Sequence, residues 1–290
     1  MDITKQIPYN QLNDTIFQRK GVKVFLIRLD ALHPVVSGNK LFKLHYFLQK
    51  CRESSNPEII TYGGAWSNHL IATAFAAREY GIPVTGIVRG EKPVMLSETL
   101  IKCLEYGMKL KFVSRKEYND LKYDDTCQSA TIIPEGGYHP FGAKGAALIV
   151  DKLLHLSPTH IITAAGSATT TAGLLIGSKD LSIISVAVMN NYSDMDARMQ
   201  YLKAYNFINR LSLWNYPFGG FAQYTNELIN YMNSFYMKYS IPLDFVYTAK
   251  MMYAVSEKID EGYFPEGSVI ACLHTGGLQG NSSIKEQLIY

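Results

Sequence analysis

THIITAAGSATTTAG, residues Thr159–Gly173, passes from a β-branched apolar segment through a turn of small and hydroxylated residues into a segment of helical spacing. A strand over Ile161–Ala164 followed by a helix over Thr171–Ile176 is the building unit of parallel α/β structure. The turn between them has its own chemistry. Gly166, Ser167, Ala168, Thr169 and Thr170 let the backbone come close to an anion, and their hydroxyls add donors beside the N–H groups of a helix start. The run lacks the lysine of a GxxxxGK[ST] loop and misses GxGxxG spacing, which disfavours nucleoside triphosphates and dinucleotides. A plain small-residue turn is the alternative.

The same alternation extends outward through most of the chain. Short apolar runs at Val22–Leu29, Ile59–Tyr62, Val84–Val88, Lys111–Ser114, Ile183–Met189 and Val269–Leu273 read as strands, most of them buried on both faces. Helical spacing marks Leu41–Cys51, Asn68–Tyr80, Ser97–Tyr106, Lys144–Leu154, Gln223–Lys238 and Ala249–Glu261. No internal repeat or linker divides the sequence, so two stacked α/β sheets are expected from element order alone.

Composition removes several classes of function. The 290 residues carry 47% apolar and 18% charged side chains and a formal net charge of +3, an ordinary globule without the basic blocks of a nucleic-acid or membrane binder. Cys51, Cys103, Cys127 and Cys272 form no CxxC pair, which speaks against a zinc site or a disulfide framework, and no metal is expected. The first residues, MDITKQIPYNQL, lack signal-peptide character, and no run approaches a membrane span. A cytoplasmic protein with free thiols is the expectation.

Other strand ends carry suggestive groups. Lys40 in SGNKLFKL stands at the start of a helical run, where the helix dipole and any burial would favour its neutral, nucleophilic amine. A lone lysine after a glycine is more often a solvated turn residue. In YGGAWSNHL, Tyr62–Leu70, Gly63 and Gly64 permit a tight turn, Ser67 caps the next helix and Asn68 projects an amide from its first turn. A capped helix explains that much, but leaves Trp66, Asn68 and His69 as a group of pocket-type side chains. CLHTGGLQG, Cys272–Gly280, places Thr275 at the carboxyl end of a strand, where ligands of open α/β sheets collect. PEGGYHPFG, Pro134–Gly142, and LDFVYTAK, Leu243–Lys250, behave similarly.

These motifs, in this order from Gly38 to Gly280, resemble the family of 1-aminocyclopropane-1-carboxylate (ACC) deaminase and D-cysteine desulfhydrase, enzymes that use pyridoxal 5'-phosphate. The resemblance implies a tryptophan synthase β-like fold of two three-layer α/β domains with mostly parallel sheets. Residues 1–41 and 151–290 would form the large cofactor-binding domain and 42–150 a smaller inserted one, with the cofactor in the cleft between them. Carried over by motif, Lys40 would be the Schiff-base lysine and the base acting at the substrate α-carbon. Asn68 would bond the cofactor's phenolic oxygen, and Ser67 the substrate carboxylate or the opposite face. GSATTTAG stands for the family's GSGGTxAG, so Gly166, Ser167, Ala168, Thr169 and Thr170 would grip the phosphate. Tyr247 would face the reacting carbons and Thr275 the pyridine nitrogen.

The departures set the expected chemistry. A neutral Thr275 holds a pyridinium proton less well than a carboxylate, which favours α-proton abstraction with expulsion of a β-substituent. Thr248 stands where ACC deaminases carry a carboxylate after the tyrosine. FGGF puts Phe221 in place of a second tyrosine, and Phe42 replaces a basic residue, so a charge on the phosphate side is expected to be missing. The implied enzyme is a lyase or deaminase converting a D-cysteine-like β-substituted amino acid to a 2-oxo acid and ammonia, working as a homodimer. ACC deamination, racemisation by Lys40 and Ser67, a cofactor-binding protein without turnover and a module for another phosphorylated ligand are the alternatives.

Overall fold

Strands that alternate between two apolar neighbours, one on each side, need helices on both faces, and the structure supplies them. The computed structural model describes residues 2–121, 130–189 and 192–290. Its first part runs β1 (Tyr9–Leu12), α1 (Thr15–Arg19), β2 (Lys23–Ile27), α2 (Lys40–Lys43) and α3 (His45–Arg52). There follow β3 (Ile59–Gly63), α4 (Asn68–Glu79), β4 (Val84–Arg89), α5 (Glu98–Glu105), β5 (Lys109–Val113), α6 (Arg115–Leu121) and β6 (Thr131–Ile133). The remainder is α7 (Pro140–Asp151), β7 (His160–Ala165), α8 (Thr169–Gly177), β8 (Ser182–Ala187), α9 (Met195–Tyr201) and β9 (Leu211–Asn215), then α10 (Asn226–Tyr239), α11 (Thr248–Asp260) and β10 (Val269–Leu273).

Two sheets result. The larger has six strands in the order β1-β2-β10-β7-β8-β9, parallel except for β1, and the smaller is a parallel sheet ordered β5-β4-β3-β6. Period-2 alternation sorts the large sheet's side chains. Ile161, Ile183 and Ala271 face a core shared with Leu174 and Leu175 of α8, whereas Ile162, Ile184 and Cys272 face one shared with Met232 of α10 and Met251 of α11. The α8-side core continues into the small sheet through Ala146 of α7, Ile59, Val84 and Ile133. The other face of the small sheet packs Tyr62, Ile87 and Val113 with Tyr118 of α6.

Small residues permit the closest contacts. A Cβ on Gly173 would lie 2.5 Å from the Ala143 carbonyl oxygen, so α8 rests backbone to backbone on α7. A single helix over Leu41–Cys51 is not what forms; it divides at Leu44 into α2 and α3. Strands β1, β6 and β9 and helices α1, α6 and α9 add to the expected set. Cys51, Cys103 and Cys272 are free and buried, and Cys127 lies outside the described residues. Among the described residues no helix is long and apolar enough to cross a membrane, and no cluster of His, Cys, Asp and Glu could hold a metal.

Candidate active site

Because β3, β6, β7 and β10 run parallel to their paired neighbours, they deliver their following loops to the carboxyl edges of the two sheets. The loop after β7 is the GSATTT turn. Ala168 adopts φ 60° as the residue before α8, which swings the chain so that the first N–H groups of α8 open toward the turn. Ser167 Oγ and Thr169 Oγ1 lie 2.8 Å apart and bond each other across the turn, whereas Thr171 is tied at 2.7 Å to Ser185 of β8. Behind the turn, the Tyr192 hydroxyl donates to the Ala165 or Gly166 carbonyl, the latter at 2.9 Å. That brace was invisible in the sequence, since Tyr192 lies 26 residues away from Gly166.

Lys40 reaches the same turn. Gly38, at φ 70°, presses its Cα against the Thr275 carbonyl: a Cβ there would sit 1.8 Å from the oxygen, so only glycine fits. This contact brings residues 38–40 beside the loop after β10. Lys40 Nζ donates to Asn39 Oδ1 at 2.8 Å, and the buried Asn39 amide donates onward to Thr170 Oγ1 at 2.8 Å, across 131 residues of sequence. Burial pulls the Lys40 pKa down to about 8, with Asp244 opposing. The expected dipole contribution is minor, because α2 is only four residues long.

Lys43 corrects the expectation of a missing charge. Phe42 is fully buried apolar packing, but Lys43, one residue on, is itself buried and donates to the Gly136 carbonyl at 3.1 Å. Gly136 in turn faces Ser167: a Cβ on it would lie 3.3 Å from Ser167 Oγ. The ammonium is thus brought to the cup by the Pro134–Gly142 loop, and burial and then Lys40 hold its pKa well below the ordinary lysine value.

The loop after β3 behaves only partly as expected. Ser67 caps α4, its Oγ accepting the Leu70 N–H at 3.2 Å, and Asn68 opens the helix. Trp66, Asn68 and His69 do not form one group. Trp66 is 44% exposed, while His69 turns into the core and bonds Thr61 Oγ1 at 2.9 Å. Burial, with Lys40 and Lys43 nearby, drives the His69 pKa to about 3, so it stays neutral. The α4 start therefore lies close to both lysines.

Tyr247 stands against the cup, since a Cβ on Gly166 would lie 3.0 Å from its ring. Burial, then the nearby Asp244 carboxylate, raises its pKa and keeps the hydroxyl protonated. Asp244 is another residue the sequence did not announce. Fully buried, it accepts the N–H groups of Val246, Tyr247 and Thr248 and the Thr248 hydroxyl at 2.7–3.1 Å, capping α11 and fixing Tyr247. Phe221 faces Tyr247 with ring centroids 6.2 Å apart. Thr275 is buried next to Gly38, and His274 is locked by the Pro242 carbonyl at 2.8 Å. The arrangement joins an anion cup, an amine of depressed pKa and an aromatic wall.

Comparison with known proteins gives the family. The family described as pyridoxal-phosphate dependent enzyme matches residues 4–276. A Pyrococcus horikoshii protein provisionally named 1-aminocyclopropane-1-carboxylate deaminase is 27% identical, over 93% of this chain and 89% of its own. The Arabidopsis thaliana mitochondrial bifunctional D-cysteine desulfhydrase/1-aminocyclopropane-1-carboxylate deaminase is 26% identical, over 90% of this chain and 73% of its own. Among solved structures, an ACC deaminase homologue superposes with a TM-score of 0.83 at 24% identity, covering 98% of this chain and 94% of that one.

Proposed function

Since the chain belongs to the family of pyridoxal-phosphate dependent enzymes, we propose that it converts a small β-substituted amino acid of the D-cysteine type, with one water, to a 2-oxo acid, ammonia and the released β-substituent. The donor set fits the cofactor. A phosphate dianion suits the α8 N–H groups and the hydroxyls of Ser167, Thr169 and Thr170, and Lys43 offers a cation whose lost charge an anion would restore. Ala168 and Gly166 complete the backbone of the cup, Asn68 is assigned to the phenolic oxygen and Thr275 to the pyridine nitrogen. Bound there, the cofactor supplies an aldehyde for amino groups and a ring that takes up the electron pair released at the α-carbon.

The protein's own groups do the rest. Lys40 Nζ, with a pKa of about 8, is poised to take the α-proton as the β-substituent leaves. The Ser67 oxygen accepts from Leu70 and keeps its proton for the substrate carboxylate. Tyr247, protonated, faces the leaving group. Thr248, where a carboxylate would serve ring opening, is spent on Asp244, and Phe221 offers no proton, so elimination is favoured over ACC opening.

The observation that carries the reading is Asn39, which hydrogen-bonds Lys40 on one side and Thr170 of the cup on the other. The test is release of 2-oxo acid from D- and L-cysteine, β-chloro-alanines, serine and ACC by the cofactor-loaded protein. D-cysteine is expected to react fastest, with Lys40→Ala inactive. Activity surviving that substitution removes the assignment, and preference for ACC moves the protein to the deaminase reading. The same reading expects a homodimer, at twice the 32.5 kDa chain mass by light scattering.

A further inference from the structure

Lys250 is fully buried, with no exposed surface, yet among the described residues no carboxylate bonds it. Its Nζ donates to three backbone carbonyls, those of Val188 at 3.3 Å, Pro217 at 2.6 Å and Gly220 at 2.8 Å. Three protons meet three oxygens, so the ammonium is fully satisfied. Burial pulls its pKa down to about 8, opposed by Asp244, a carboxylate already committed to the α11 start. An ammonium ringed by carbonyl oxygens is, in ligand chemistry, a monovalent cation in an oxygen cage.

The cage is built from a backbone that resists its own shape. Phe218, Gly219, Gly220 and Ala222 have φ of 47°, 91°, 127° and 54°, and two of these residues carry a Cβ that disfavours the left-handed region. Gly220 N bonds the Pro217 carbonyl at 2.9 Å and Gln223 N the Gly220 carbonyl at 3.2 Å, so the two turn carbonyls that meet Lys250 also close the turn. Phe221, inside this turn, is 47% exposed and so is held by its backbone more than by packing. Its ring nevertheless faces Tyr247, which lies against Gly166 of the cup.

We propose that Lys250 is a positioning residue whose ammonium serves as a built-in monovalent cation, holding the Pro217–Ala222 turn in its left-handed form and so setting Phe221 as the substrate-side wall opposite Tyr247. The clamp itself is independent of the proposed reaction, whereas the wall rests on that reading. Removing the side chain leaves a cage for an ammonium or potassium ion.

The experiment compares wild type, Lys250→Met and Lys250→Ala by chymotryptic cleavage after Phe218 and Phe221, read by mass spectrometry. Each is run in ammonium chloride, potassium chloride and tetramethylammonium chloride at equal ionic strength. Cleavage is expected to accelerate tenfold or more in both variants, and ammonium or potassium, but not tetramethylammonium, is expected to restore protection in Lys250→Ala alone. Unchanged cleavage in the variants, or no difference between the salts, overturns the clamp. With D-cysteine as substrate, Lys250→Ala is expected to raise KM at least fivefold with a smaller change in kcat, again reversed by ammonium. Phe221→Ala, at an exposed position that leaves the fold intact, is expected to raise KM in the same direction; an unchanged KM overturns the wall even if neither lysine variant folds. Proteolysis needs no turnover, so inactivity on every amino acid tested counts against the proposed reaction and not against the clamp.

Discussion

A lysine that titrates near 8 is chemically distinct from its neighbours on the surface. Its folded pKa is lowered from the model-peptide value of about 10.4, so the neutral amine grows as pH rises through 8 rather than through 10. Reductive capture of pyridoxal phosphate by the cofactor-free protein, mapped by peptide mass spectrometry, is therefore expected to concentrate on Lys40 and to rise steeply between pH 7 and 9. An inflection above 9.5 contradicts the burial argument. Lys43 makes a different prediction. Lys43→Met keeps the apolar stem and removes the charge, and losing one charge-assisted bond to a phosphate, worth about 1.5–3 kcal/mol, weakens cofactor binding roughly tenfold or more. Equilibrium dialysis checks it. At this scale runs of glycine and hydroxyl residues pointed to Lys40, Ser67 and Thr275, while Tyr247, in the glycine-free LDFVYTAK, was indicated by the family resemblance. Lys43, Tyr192 and Asp244 escaped, since the partners of the first two lie 93 and 26 residues away and Asp244 acts as a cap within an apolar segment.

Elements covered on both faces were the easiest to read, although β5, an exposed edge strand, was read as well. β7, β8 and β10 read as continuous apolar runs because both of their faces are covered. β1 and β9 are the outer strands of their sheet and β6 of the other; several of their side chains meet solvent, so their apolar pattern is thin. α1, α6 and α9 have five to seven residues, too few turns to show a period. The α7–α8 contact supplies the element-scale prediction. Gly173→Val forces a side chain against the Ala143 carbonyl and Ala146 Cβ, and overpacking of this kind costs about 1–3 kcal/mol. The urea midpoint should fall accordingly, and cofactor binding should weaken with it because α8 carries the cup. Gly267→Ala, at a position with open space around it, is the control for a glycine lost without a clash, though its φ of 83° adds backbone strain.

The two sheets share one apolar core and a site assembled from loops of both, so ligand and fold are linked. A cofactor held by the folded chain alone and present at 100 times its Kd adds about 2.7 kcal/mol to stability. For a chain of this size that corresponds to an upward shift in Tm of roughly 4–5 °C, by differential scanning calorimetry. Lys40→Ala should keep a smaller shift from the phosphate contacts. Strand order adds a last consequence. β10, the final strand, lies between β2 and β7, pairing Leu273 with Ile27 and Ile270 with His160. During synthesis β2 must wait, with one edge unpaired, until β10, almost 250 residues further along the chain, has left the ribosome. Vitamin capture is then expected only after β10 has emerged and paired, and a chaperone that shields the waiting edge is expected to raise the yield of folded protein.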